Sequence, residues 1–240
     1  MGKSTSTSEF LAKRAQQIQR GAARAAVLGV NDGLVSILCI VLAVAAAGAS
    51  SQNVLLAGVA GLIAGAVSMA AGEWISVRAQ VELYNGVLKD IRHLMKHERS
   101  LLIDQMAESM IIAGQNKNTA HSAAREIAAD DHQFMQLYTK QVLGFNPAEL
   151  GSPWWAAGSS FLLFTIGALA PMSPWLFTDG VIAESLSIGL TAFGSLIVGG
   201  YIAASSGKSV VYGALRQLAI VALASIVTYG VGYIFGISVA

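Results

Sequence analysis

Ala25-Ala26-Val27-Leu28-Gly29-Val30-Asn31-Asp32-Gly33-Leu34-Val35-Ser36-Ile37-Leu38-Cys39-Ile40-Val41-Leu42, continuing apolar to Ala49, decides the fold. The run is long enough to cross a bilayer, which takes about 20 helical residues, and Asp32 is its one charged residue. A carboxylate inside a lipid-spanning helix is costly to keep, so Asp32 reads first as part of an ion or proton path. The next apolar run closes on a second acid, Glu73, in Ser68-Met69-Ala70-Ala71-Gly72-Glu73.

Five runs have this length: Ala25–Ala49, Val54–Val77, Trp154–Pro171, Val181–Ala204 and Val210–Ser238. The composition agrees, with 54% hydrophobic and 12% charged residues and a mean hydropathy of +0.58, values that soluble domains rarely reach. All fifteen Lys and Arg fall on one side of the spans. Five precede the first (Lys3, Lys13, Arg14, Arg20, Arg24), eight lie between Arg78 and Lys140, and Lys208 and Arg216 mark the last turn. The positive-inside rule then expects a cytoplasmic N-terminus and central segment, with the C-terminus opposite. The expected organisation is a leader over 1–24, two spans over 25–78, a cytoplasmic helical domain over 79–152 and three spans over 153–240. A bacterial inner membrane is the expected location.

The central segment reads as helices broken near Gly114-Gln115-Asn116-Lys117-Asn118 and at Gly144-Phe145-Asn146-Pro147. No breaker follows Val77, so the second span is expected to run on as helix beyond the membrane. Glycines such as Gly58, Gly61 and Gly65, or Gly189, Gly194 and Gly199, suit close helix packing rather than a ligand.

Several classes are excluded on spacing. Ser206-Gly207-Lys208-Ser209 ends like a phosphate-binding loop, but Ile202 stands where its first glycine belongs. His97-Glu98 has Leu101 where a zinc protease needs its second histidine. No Gly-x-Ser-x-Gly occurs, so no enzyme is expected. Nucleic-acid binding has no support in a net charge of +1. The lone Cys39 cannot form a disulfide within the chain. A cleaved signal peptide fails because the first run is too long and carries Asn31 and Asp32. Met1-Gly2-Lys3-Ser4-Thr5-Ser6 matches a myristoylation pattern only by chance in a short polar leader.

Flanking arginines place Asp32 and Glu73 at similar depth toward the cytoplasmic half, since eight and five helical residues span about 12 and 8 Å. Met69 and Glu73 are four apart and share a helix face. A thioether beside a carboxylate suits a borderline divalent cation. The bland alternative for either acid is a structural hydrogen bond or an ion pair, with Arg216 as one partner.

The stretch Gly29-Val30-Asn31-Asp32-Gly33-Leu34-Val35-Ser36, together with Gly61-Leu62-Ile63-Ala64-Gly65-Ala66-Val67-Ser68-Met69-Ala70-Ala71-Gly72-Glu73-Trp74, resembles the vacuolar iron transporter family. Ser209-Val210-Val211-Tyr212-Gly213-Ala214-Leu215-Arg216-Gln217-Leu218 and Thr228-Tyr229-Gly230-Val231-Gly232 are similar to that family's last span. The resemblance implies an all-α membrane protein with five transmembrane helices and a small cytoplasmic helical domain. It further implies a homodimer in a lipid bilayer that moves Fe²⁺ or Mn²⁺ out of the cytoplasm in exchange for protons. Asp32, Met69 and Glu73 would line the path; no cofactor is implied, the metal being substrate.

Departures from the family lie in the central domain. Positions where iron-type members carry metal-collecting glutamates and methionines read here as Ile91, Leu94, Leu102, Gln105, Tyr138, Thr139 and Val142, and Gly61 replaces a second-span acid. That domain is therefore expected to be a divergent form of the metal-binding one. Asp90, His93 and His97 share a helical face and could form a weak cytoplasmic metal site; Glu126/Asp130 and Asp131/Met135 are i, i+4 pairs. The alternative to transport is a transport-inactive membrane scaffold or metal sensor of the same fold.

Overall fold

The computed structural model describes residues 21–144 and 151–239, entirely in helices and turns. The leader up to Arg20, with its basic residues and myristoylation pattern, and Phe145-Asn146-Pro147 of the second expected break lie outside the described residues.

Among the described residues, five helices are long and apolar enough to cross a membrane. They are α1 (Gly21–Ala46), the membrane part of α2 (Ser51–His97), α6 (Pro153–Met172) with a 3₁₀ turn at Ser173–Leu176, α7 (Gly180–Ser205) and α8 (Val210–Val239). Three shorter helices, α3 (Arg99–Ile112), α4 (Lys117–Ile127) and α5 (Asp131–Gln141), form a helical insertion between the second and third spans. The expected continuation of the second span is met, since α2 is one helix of 47 residues. At 1.5 Å per residue it is about 70 Å long, roughly twice what a hydrocarbon core can hold.

The chain divides into two compact units, Met1–Ile75 with Pro153–Ala240, and Ser76–Ser152. In the first, α1 is the central helix. Its Ile37, Leu38, Val41 and Leu42 are buried with Val54 and Ala66 of α2, Phe164 and Ala168 of α6 and Val221 of α8. The outward faces are apolar: Leu162, Ile166, Phe193, Ile226 and Phe235 are each more than half exposed. Such surfaces are stable only against lipid or another protein surface.

The second unit has its own core of Ile91, Met95, Leu102, Met106, Met110, Ala120, Ala124, Phe134 and Tyr138. Gly114, at φ +98, ends α3 at the expected break, and Asn116 caps α4 by accepting from the Asn118 N–H at 3.0 Å. Two further breaks carry no glycine or proline. One is at Glu98, between α2 and α3. The other precedes Asp130, whose side chain caps α5 by accepting from the N–H groups of His132 and Gln133.

Candidate functional site

Asp32 sits where α1 comes closest to α6. A Cβ at Gly33 would run into the Phe164 carbonyl, and one at Gly29 would lie 3.2 Å from the Leu163 side chain. From the other side, a Cβ at Gly167 would collide with the Val30 carbonyl. Glycines at these positions let two backbones touch, which locks α1 against sliding at the level of the acid. Asp32 itself is half-buried, and its i±4 neighbours Leu28 and Ser36 are exposed. Its row therefore faces away from the α6 contact.

Next to Asp32, the Asn31 Oδ1 accepts from Nε2 of Gln217 on α8. Gln217 is only 6% exposed. The expected alternative partner, Arg216, is exposed and joins no ion pair among the described residues. Sequence reasoning passed over Gln217; the available signal was a lone amide in an apolar span, which in a bilayer must find a partner.

Met69 and Glu73 lie one turn apart on α2, a helix that meets α1 farther along. A Cβ at Gly58 would meet Val41, and one at Gly61 would meet Ile37 and Ile40, so the two helices run antiparallel. Met69 packs against the bundle core and Glu73 is half-buried. Trp74, the next residue, meets Trp154 at the start of α6 edge to face, with ring centroids 5.7 Å apart. At Gly61 the space is filled by Ile37 and Ile40, so an acid there would need a different helix packing.

The insertion differs. Asp90, His93 and His97 are all exposed; the two rings lie 4.3 Å apart, and Nδ1 of His97 is 2.9 Å from the His93 carbonyl. Among the described residues, no three His, Cys, Asp or Glu side chains are grouped to hold a metal. Asp130 is a helix cap, and Asp131 pairs with Arg99 at 2.7 Å, which also donates to the Ala128 carbonyl. His121 stands 3.7 Å from Asp104.

The positions expected to have lost metal-collecting residues are packing positions. Ile91, Leu102 and Tyr138 are in the core, and Leu94 and Val142 pack against it. Thr139 is buried and bonds the Met135 and Gln136 carbonyls; the Tyr138 hydroxyl donates to Gln105. Burial pushes the Tyr138 phenol above its ordinary pKa, keeping it a donor. The insertion is thus a packed helical unit, and among the described residues nothing in it supports a distinct metal-binding domain.

A profile of the VIT family matches residues 23–233, all five spans and the insertion included. The chain belongs to the VIT family. It is therefore a membrane transporter by family, not an enzyme. It is 33% identical to "Vacuolar iron transporter homolog 2" of Oryza sativa subsp. japonica, across 88% of this chain and 89% of that protein. Homolog 1 of the same plant is 32% identical across 89% of this chain and 73% of its own length. The "Vacuolar iron transporter" of Acanthamoeba castellanii is 31% identical across 88% and 77%.

Proposed function

We propose that the protein is a proton-coupled transporter that carries Mn²⁺ or Fe²⁺ out of the cytoplasm along a path lined by Asp32, Met69 and Glu73. The observation that carries this reading is Asp32, a half-buried carboxylate within a membrane span, next to an Asn31 that accepts from the buried Gln217 across the bundle. Maintaining it there is expensive unless it works. A carboxylate can serve both ions, because a metal and a proton compete for the same oxygens. Met69 adds a soft donor one turn from Glu73, which favours Fe²⁺ or Mn²⁺ over Mg²⁺ or Ca²⁺. Relatives carrying iron-transporter names support the metal. The Lys/Arg distribution supports a cytoplasmic N-terminus. A homodimer is part of the proposal: the row Leu28–Asp32–Ser36 is open in one protomer, and a second copy would close it over the path.

The alternative, a transport-inactive scaffold or sensor, draws on the insertion, where packing residues occupy the expected metal positions. One experiment separates the two. Purified protein in proteoliposomes with an imposed pH gradient should accumulate Mn²⁺ or Fe²⁺. Asp32→Asn and Glu73→Gln, which keep shape and remove charge, should each slow uptake by more than about 100-fold while the protein remains folded. Wild-type vesicles that move neither metal would leave the scaffold reading in place.

A further inference from the structure

The long helix α2 ends on a pair of histidines that the transport path does not use. His93 and His97 stand four residues apart, on one face of the helix, and both are exposed. Their rings lie 4.3 Å apart, inclined at 31°. Nδ1 of His97 is 2.9 Å from the His93 carbonyl. A carbonyl only accepts, so this nitrogen carries the hydrogen, and in the neutral ring the free lone pair is on Nε2. We propose that His93 and His97 form a two-imidazole site for a late first-row divalent ion, of the nickel, copper and zinc group, held by Nε2 of His97 and a ring nitrogen of His93.

The local chemistry fits such an ion. A helix that holds zinc through two histidines places them at this same i, i+4 spacing. Metal–nitrogen bonds of about 2.0–2.1 Å at a tetrahedral angle need nitrogens about 3.3 Å apart, which small turns about the side-chain torsions reach from these ring positions. A ligating histidine commonly donates its other ring N–H to a carbonyl, which fixes ring and tautomer; the bond to the His93 carbonyl does this in advance. His97 is also the last residue of α2, so the pair lies at the negative end of the helix dipole, which favours a cation. A C-terminal cap would need His97 alone. The second ring beside it is what makes a chelate. Asp90 does not complete the set, since no three His, Cys, Asp or Glu side chains are grouped among the described residues. The site is therefore a surface chelate on a helix end, with ligands unlike the glutamates and methionines looked for in the insertion and unlike the carboxylates of the path. Imidazole prefers these ions to Mn²⁺, for which affinity is lowest in the first-row series.

The test uses full-length protein in detergent, purified without a histidine tag and carrying Asp32→Asn and Glu73→Gln so that the path acids do not compete. Titrated Cu²⁺ should bind at one equivalent, with an electron paramagnetic resonance spectrum that shows two imidazole nitrogens. His93→Ala and His97→Ala should each leave one nitrogen and weaken binding by about tenfold or more, a loss that removal of an outer partner alone can cause. Replacing the other two histidines, His121→Ala with His132→Ala, should change neither spectrum nor affinity. In competition Zn²⁺ and Ni²⁺ should follow Cu²⁺, with Mn²⁺ last. Hydrogen–deuterium exchange gives a second readout: Cu²⁺ should slow exchange of the Leu94 to Glu98 amides, and should fail to do so in His93→Ala, which keeps the His97 cap. Two-nitrogen binding that survives in His93→Ala/His97→Ala, a single-nitrogen spectrum with both histidines present, or Mn²⁺ bound as tightly as Cu²⁺ overturns the site.

Discussion

In the membrane bundle one buried amide, Gln217, reaches across from the last span to Asn31 of the first; in the insertion, charged residues abound and nearly all stand in solvent. The contrast follows from the surroundings. Lipid offers a polar group no partner, so each one in a span must be answered by another span or by function. Water answers Asp90, Lys96 or Glu126 at little cost, so such residues carry no information about a site. What informs in the insertion is the opposite signal, apolar residues at positions where the family resemblance leads one to look for acids. Ile91, Leu94 and Leu102 are there because the unit is held together by them.

The sharpest way to break this contrast is to put an acid back. Leu102 is 1% exposed within the core formed with Met106 and Phe134. If the insertion were a dormant metal cage, Leu102→Glu would restore a ligand; as a packing position it should instead bury an uncompensated charge, at about 3–5 kcal/mol. Hydrogen–deuterium exchange on the full-length protein should show α3, α4 and α5 losing protection while α1 and α6 keep theirs. Preserved protection with new Mn²⁺ binding would return the insertion to a metal role.

Glycines make the next comparison. Gly33→Ala drives a methyl group into the Phe164 carbonyl and within 2.8 Å of the Ala168 nitrogen, so it should destabilise the bundle by about 1–3 kcal/mol in thermal unfolding. Gly86, in the part of α2 that belongs to the second unit, would meet nothing within 4 Å. Gly86→Ala should therefore stabilise its helix by about 0.5–1 kcal/mol. Equal effects at the two sites would mean that close backbone contact is not what holds α1 at Asp32.

Much of this was legible in the chain. Five spans, the unbroken second helix and the stop at Gly114 follow from hydropathy length and from the presence or absence of glycine, which are local properties. The breaks at Glu98 and before Asp130 were not, because neither carries a breaker. Asp130 reads equally well as a helix-face acid or a cap until the chain turns there. The bond from Gln217 to Asn31 was the least legible, since it spans 186 residues and joins the last span to the first.

The smallest effect is the most diagnostic of how the insertion treats polarity. Tyr138 is 4% exposed and its hydroxyl donates to Gln105, whose side chain is otherwise open to solvent. Tyr138→Phe removes the donor while water can answer the Gln105 oxygen, so the loss near neutral pH should be about 1 kcal/mol or less. The pH dependence gives the sign. Burial raises the folded-state pKa of the phenol, so the folded protein holds this proton more tightly than the unfolded chain does. The contribution of the neutral phenol is complete below the unfolded value of about 10 and is lost as pH rises through the higher folded value. Exchange protection of α3 and α5 in the wild-type protein should therefore fall above pH 10, while the Phe variant, lacking the ionisable group, should fall less and the gap between the two should narrow. A gap that widens with alkalinity would mean that the Tyr138 hydroxyl accepts rather than donates, and that the insertion holds this polar group as a charge.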